Sequence, residues 1–200
     1  MTGRMQRENI DHILRAAAGV TGQNKFVLVG SAAVILRLKH VPLEMMYTPE
    51  IDIYAPDAGD VEVASELIDG SIGQGSQFHS KFGYYGDGVS PATAKMPTDW
   101  MSRAIEYRPS GETALVAVVP DVDDIGLAKL VAWREKDQTW LRAAANASVI
   151  SLQRMVERLK MMPASNSDGY PPSHEILADR LRSLAARART EITIPPNRDS

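Results

Sequence analysis

Two acids, Glu50 and Asp52, stand on either side of one isoleucine in the run TPEIDIY. In a strand, side chains alternate across the sheet, so both carboxylates project from one face while Ile51 and Ile53 enter the opposite layer. Carboxylates held that close repel each other, and a divalent cation between them removes the repulsion. Hard oxygen donors with nothing softer nearby favour magnesium, with manganese as the alternative. An isolated acid-x-acid pair also fits an exposed strand end, so the pair does not decide by itself.

The residues upstream supply a second half. KFVLV, Lys25–Val29, is too short for a helix and is aromatic and β-branched, which predicts a strand buried on both faces. The strand breaks at Gly30 and Ser31, and SAAVILRLK follows with good helix formers behind a serine N-cap. Such a turn presents backbone N–H groups and a hydroxyl at the positive end of a helix, and Gly30 lets the chain approach an anion closely. Alone it is a common strand-to-helix connection. Together, a phosphate-binding turn and a dicarboxylate strand are the two halves of a site for a metal-bound nucleoside triphosphate.

The remaining elements must hold these halves in place. Ile10, Ile13, Leu14 and Ala17 recur at helical spacing, and Gly19 and Gly22 are expected to end that helix. HVPLEMMYTPE, with two prolines, predicts a loop, and a helix is expected from about Asp60 to Ile68. The glycine-rich segment that follows, DGSIGQGSQFHSKFGYYGDGVSPATAKMP, suggests short strands and turns without fixing them. AIEYRP and TALVAVV predict two strands joined by a hairpin at Ser110 and Gly111. PDVDDIGLAKLVAWREKDQTWLRAAANA has Asp121 as N-cap, Asp124 three residues on, and a long helical pattern that weakens near Arg134. Two more helices, SLQRMVERLKMM and SHEILADRLRSLAARART, flank a polar, proline-rich linker.

VLVGSAAVIL followed by TPEIDIY resembles the signature of the nucleotidyltransferase superfamily, in which a Gly-Ser turn precedes an acid-x-acid strand. PDVDDIGLAKLVAWREKDQTWL likewise resembles the helical motif of bacterial nucleotidyltransferase-like proteins related to AbiEii-type toxins. The resemblance spans roughly residues 26 to 159. It implies that Gly30 and Ser31 hold the triphosphate, that Glu50 and Asp52 coordinate magnesium, and that Lys129, Lys136 and Asp137 belong to a helical motif beside the site. It implies a transferase that moves a nucleoside monophosphate from a nucleoside triphosphate to RNA, tRNA included, or to a protein side chain. It also suggests the toxin of a toxin-antitoxin pair, with a cognate antitoxin as partner. Two departures bear on activity. Glu50 stands where relatives commonly carry aspartate, and the third carboxylate of the superfamily has one clear strand candidate, Glu106. Without a third acid no general base is evident, and the alternative is an inactive nucleotide-binding or regulatory module.

Lys129 interrupts the most apolar helical segment of the chain. It either snorkels from a helix edge or neutralises phosphate. Lys136 lies seven residues on, so the two ammonium groups share a face if the helix is unbroken, with Asp137 placed to orient one of them. REKD reads equally as a solvated charge cluster. Other motifs carry less: GSIGQGS lacks the Walker A ending, the four histidines have no metal-ligand spacing, and Arg180, Arg182, Arg187 and Arg189 make the last helix basic, most simply as a solvated face.

The whole chain sets the frame. Its 200 residues suit one globular domain with a helical appendage, and 44% hydrophobic with 24% charged residues suits a folded protein. The absence of cysteine excludes disulfides, thiolate metal sites and cysteine nucleophiles. A net charge of -3 argues against a generally basic nucleic-acid coat. No stretch approaches the ~20 apolar residues of a membrane span, and residues 1–19 lack the apolar core of a secretion signal, so a cytoplasmic protein is expected. The expected architecture is α/β: a nucleotidyltransferase-like core with a small mixed sheet over residues 1–119, a helical C-terminal part of the same unit over 120–190, and a flexible tail over 191–200. The base preference and the oligomeric state are not legible.

Overall fold

The computed structural model describes residues 4–46 and 48–194. It is an α/β protein with a five-stranded mixed sheet, as the sequence predicts. Two compact units divide the chain, Met1–Ala94 with Ser102–Asp121, and Lys95–Met101 with Val122–Ser200. Of the expected tail, residues 195–200 lie outside the described residues, while the backbone of Thr193 hydrogen-bonds in both directions to the Gln153 side chain.

In the first unit, helix α1 (Arg7–Thr21) starts where Asn9 Oδ1 accepts from the Gln6 N–H, and it buries Ile10, Ile13, Leu14 and Ala17. Gly22, in the left-handed conformation with φ 69°, ends it; Gly19 does not, since a mid-helix glycine costs only ~1 kcal/mol. Strand β1 (Lys25–Val29) follows, then a short 3-10 turn and helix α2 (Val34–Arg37), and strand β2 (Glu50–Tyr54). Helix α3 (Val61–Ile72) runs four residues beyond its expected end, because Ile72 continues the buried stripe of Ala64 and Ile68. Asp60 caps it by accepting from the Glu62 and Val63 N–H groups. The glycine-rich segment resolves into helix α4 (Gln77–Phe82) and strand β3 (Tyr85–Gly88). Strands β4 (Ile105–Tyr107) and β5 (Val116–Val119) pair antiparallel as the expected hairpin.

The strand order is β3-β2-β1-β5-β4. Strands β1 and β2 are antiparallel, whereas β1 with β5 and β2 with β3 are parallel. Helices α1 and α3 pack on one face. A Cβ placed on Gly86 would stand 2.8 Å from the Ile13 side chain and 3.2 Å from Ile72, so this glycine lets both helices close on the strand. The opposite face carries the acids of β2. Arg37 ties the end of α2 to the chain on both sides of the hairpin, donating to the Arg103 carbonyl before it and the Pro120 carbonyl after it and pairing with Asp121.

The second unit is helical: α5 (Val122–Ala132), α6 (Glu135–Asn146), α7 (Leu152–Arg158) and α8 (His174–Ala188). The long helical pattern does break where it weakens, at Trp133, whose φ is 54°. Arg180 explains why the break is stable. Its guanidinium donates to the Leu130 and Val131 carbonyls at 2.7 and 2.9 Å and lies 5.1 Å over the Trp133 ring. Arg180 is therefore engaged inside the unit, while Arg182, Arg187 and Arg189 are exposed. Asp123 and Asp124, both fully buried on α5, are met by Arg154 at 2.6 Å and Arg158 at 3.0 Å, which fastens α7 to α5.

Candidate active site

Strand β2 alternates as its sequence demands. Ile51 and Ile53 are almost fully buried, and Glu50 and Asp52 are partly open on the other face. The pairing with β3 adds what the sequence reading missed. Asp52 lies directly opposite Asp87 and Glu50 opposite Tyr85, and residues paired this way share a face, with strands ~4.8 Å apart. The third carboxylate beside the pair is Asp87. Its strand reads YGDG, and glycine-rich composition argues against a strand. The tertiary reason is close packing: a Cβ on Gly88 would collide with the Ser65 carbonyl of α3. The signal that could have found it is a lone acid between two such glycines.

Side chains around the acids are organised. The Tyr85 hydroxyl donates to Glu50 Oε2 at 3.1 Å, and burial, then the Glu50 carboxylate, push the phenol above its ordinary range. That bond restrains the extra methylene that distinguishes Glu50 from an aspartate. Asp87 is pushed up to about 6 by burial and by the Asp69 and Glu50 carboxylates, against which a Gln74 backbone N–H and His79 act. Asp69 in turn accepts from the Gly88 N–H at 2.6 Å, pinning α3 to the end of β3.

The raised value has a consequence for stability. Asp87 holds its proton more tightly in the fold than in the unfolded chain, so its contribution is present at low pH and is lost as pH rises from about 4 to about 6. Asp87→Asn is expected to raise the melting temperature of the metal-free protein above pH 6, by the equivalent of ~1 kcal/mol after allowance for solvent screening. Near pH 4 the gain should vanish. Thermal melts of both proteins across pH 4 to 8 check this.

The Gly30 turn faces the same acids. Gly30 has φ 82° and ψ -166°, and a Cβ built there lands on the Asp52 carboxylate, so no other residue allows the turn to lie against this strand. One expectation is corrected: Gly30, not Ser31, is the cap position, and Ser31 opens a 3-10 turn, Ser31–Ala33, before a four-residue α2. The Ser31 side chain thus belongs to a tight turn, not to the cap of a long helix.

Glu106 is exposed on β4, three strand spacings or ~14 Å across the sheet from β2, and pairs with Arg108 at 3.4 Å. It cannot ligate an ion held by Glu50 and Asp52. Lys129 and Asp137 are in the second unit and meet each other, Lys129 Nζ standing 3.2 Å from Asp137 Oδ1 and 5.1 Å over the Trp140 ring. Asp137 also accepts from the Arg134 backbone N–H and guanidinium, the latter at 2.7 Å. Burial would raise this carboxyl, but the Arg134 hydrogen bond and Lys129 outweigh it and hold it below the usual carboxylate range. Lys136 is exposed in the first turn of α6, and the break at Trp133 removes the single helix on which Lys129 and Lys136 were to share a face.

The donor set suits a hard divalent cation. Among the described residues no three carboxylate or imidazole groups form a preformed metal cage. Magnesium does not require one, since it is commonly held by one or two carboxylates with phosphate oxygens and water completing its shell. Glu50 and Asp52 on one face of β2 fit that role, and Asp87 stands beside them.

In comparisons with known proteins, a family model described as "Nucleotidyltransferase of unknown function (DUF6036)" matches residues 8–170. That span contains all five strands and the Gly30 turn. No curated protein and no solved structure gives a match.

Proposed function

Since the chain belongs to the DUF6036 family of nucleotidyltransferases, we propose that its first unit moves a nucleoside monophosphate from a nucleoside triphosphate to an acceptor hydroxyl, with magnesium. The observation that carries this reading is the meeting of Glu50, Asp52 and Asp87 on one sheet face with the Gly30 turn packed against Asp52. Glu50 and Asp52 hold the cation, which when bound supplies charge neutralisation at the α-phosphate and the departing pyrophosphate. Backbone N–H groups of the turn at Gly30 and Ser31 bind the phosphates and orient them. The acceptor oxygen bonds to the α-phosphorus as the bond to pyrophosphate breaks, and Asp87 takes the hydroxyl proton. Positioning and fixed charge do most of the work in such a reaction.

The acceptor in this reading is an RNA or protein hydroxyl. Each of four α-labelled nucleoside triphosphates, incubated with total RNA and total protein, tests it: label on one class identifies the acceptor, and nucleotide binding without label moves the account to an inactive module. The toxin resemblance adds an antitoxin as partner, tested by co-purification with the product of a neighbouring gene.

Tyr85 has a separable part. Removing its hydroxyl takes away one restraint on Glu50, so Tyr85→Phe should raise the magnesium concentration needed for half-maximal rate about tenfold, with a smaller change in kcat at saturating magnesium. A magnesium titration of transfer rate measures the split, and an unchanged requirement would refute it.

A further inference from the structure

A cavity of about 400 Å³ opens in the first unit at the strand-start ends of β2 and β3. Its volume lies in the range of small-molecule sites. Thr48, two residues before Glu50, and Tyr84, the neighbour of Tyr85, are part of its wall, so the cavity adjoins the start of both strands.

One side of the cavity is aromatic. Phe82 and Tyr84 lie 27° apart in plane with ring centroids 6.0 Å apart, and the Tyr84 hydroxyl is engaged with His12 Nδ1 at 2.9 Å. Phe82 is 39% exposed, which leaves part of it open for stacking beside its contacts with His12, Phe78 and the Lys81 ammonium. The rest of the wall carries donors. The Asn9 side chain uses its oxygen in the cap of α1, Oδ1 accepting from the Gln6 N–H at 2.9 Å. That bond leaves the Asn9 NH2 as a donor, and the Gln6 amide and the Arg4 guanidinium add further donor groups. The Thr48 hydroxyl is turned to the Glu50 backbone.

A planar ligand that stacks on aromatic rings and presents acceptors at its edge fits this wall. Uracil, cytosine and guanine each carry a ring carbonyl, whereas adenine carries none. We propose that the cavity binds a nucleobase bearing a ring carbonyl, in preference to adenine. The proposal rests on the nucleotidyltransferase reading for its choice of ligand class. The base belongs either to the incoming triphosphate or to the acceptor strand, and the chemistry of the wall is the same for both.

Calorimetric titration of the full chain with uridine monophosphate and adenosine monophosphate, without divalent cation, tests it. Uridine monophosphate should bind about tenfold more tightly than adenosine monophosphate, and Phe82→Ala should weaken it about tenfold through lost stacking. Phe82 is 39% exposed, so this variant keeps the fold. Asn9→Asp keeps the cap oxygen and removes the NH2 donor, and should weaken binding by a similar factor. Displacement of uridine monophosphate by a non-hydrolysable uridine triphosphate with magnesium assigns the cavity to the incoming nucleotide, and simultaneous binding assigns it to the acceptor. Equal affinity for the two monophosphates, no binding of either, or an affinity that neither variant changes would overturn the proposal. If labelled transfer persists in that case, the cavity assignment alone has failed; if transfer is also absent, the nucleotidyltransferase reading has failed with it.

Discussion

Asp52→Asn is expected to abolish the proposed nucleotidyl transfer, by at least about a thousandfold, and to leave the melting temperature within a few degrees of wild type. The reasoning is geometric before it is chemical. Asp52 sits in mid-strand with Val29 opposite on β1 and Asp87 opposite on β3, and the Gly30 turn is pressed against its carboxylate. Asparagine keeps the size and one acceptor oxygen, so the turn and the pairing survive. What disappears is the charge that, in the proposed function, would bind a cation and, through it, the triphosphate. The fold should not suffer, because one of three like charges on that face is gone. If the acids were only an exposed strand end, the substitution would change neither quantity. Label transfer and a thermal melt on the same preparation separate the two accounts.

The second large effect lies in the other unit and concerns stability. Asp137→Ala should destabilise the protein by about 3 kcal/mol, a fall in melting temperature of roughly 6–12 °C. Asp137 is fully buried and receives Lys129, the Arg134 side chain and the Arg134 backbone N–H, so it closes the corner between α5 and α6. Alanine leaves a buried ammonium without this carboxylate. Its pH dependence has a definite sign: a carboxyl held below its ordinary value contributes stability that is present above about pH 4 and lost as pH falls further. The double variant Lys129→Met with Asp137→Leu should recover much of the loss, because apolar side chains of similar volume can replace a buried ion pair. Thermal melts of Lys129→Met, Asp137→Leu and the double variant close the cycle. A role in phosphate neutralisation predicts instead that Lys129→Met lowers transfer and leaves the melt unchanged.

Much of this arrangement is legible from residue types. The alternation of Glu50, Ile51, Asp52 and Ile53, the apolar run of β1 and the glycine at position 30 state where the first two acids and the turn must lie. The hairpin of β4 and β5 and the stripe of α1 follow from period and turn residues in the same way. What was hidden depends on tertiary packing. Asp87 sits in a strand whose glycines satisfy the helices behind it, so local propensity points away from the element that carries it. Glu106 looked suitable because it lies in a clear strand, but strand order is a long-range property and puts β1 and β5 in between. The lysines of the helical motif were paired in thought along one helix. Trp133 takes a left-handed conformation, fixed by Arg180 some 50 residues away, which no local pattern announces.

The most direct test follows both ends of the triphosphate. Wild type and Asp52→Asn are incubated in parallel with α-labelled and γ-labelled nucleoside triphosphate, magnesium and the acceptor fraction. The account predicts that with wild type α-label reaches the acceptor and γ-label leaves as pyrophosphate, and that with Asp52→Asn both labels stay on the triphosphate. Transfer of γ-label, or α-label transfer that survives Asp52→Asn, would contradict it.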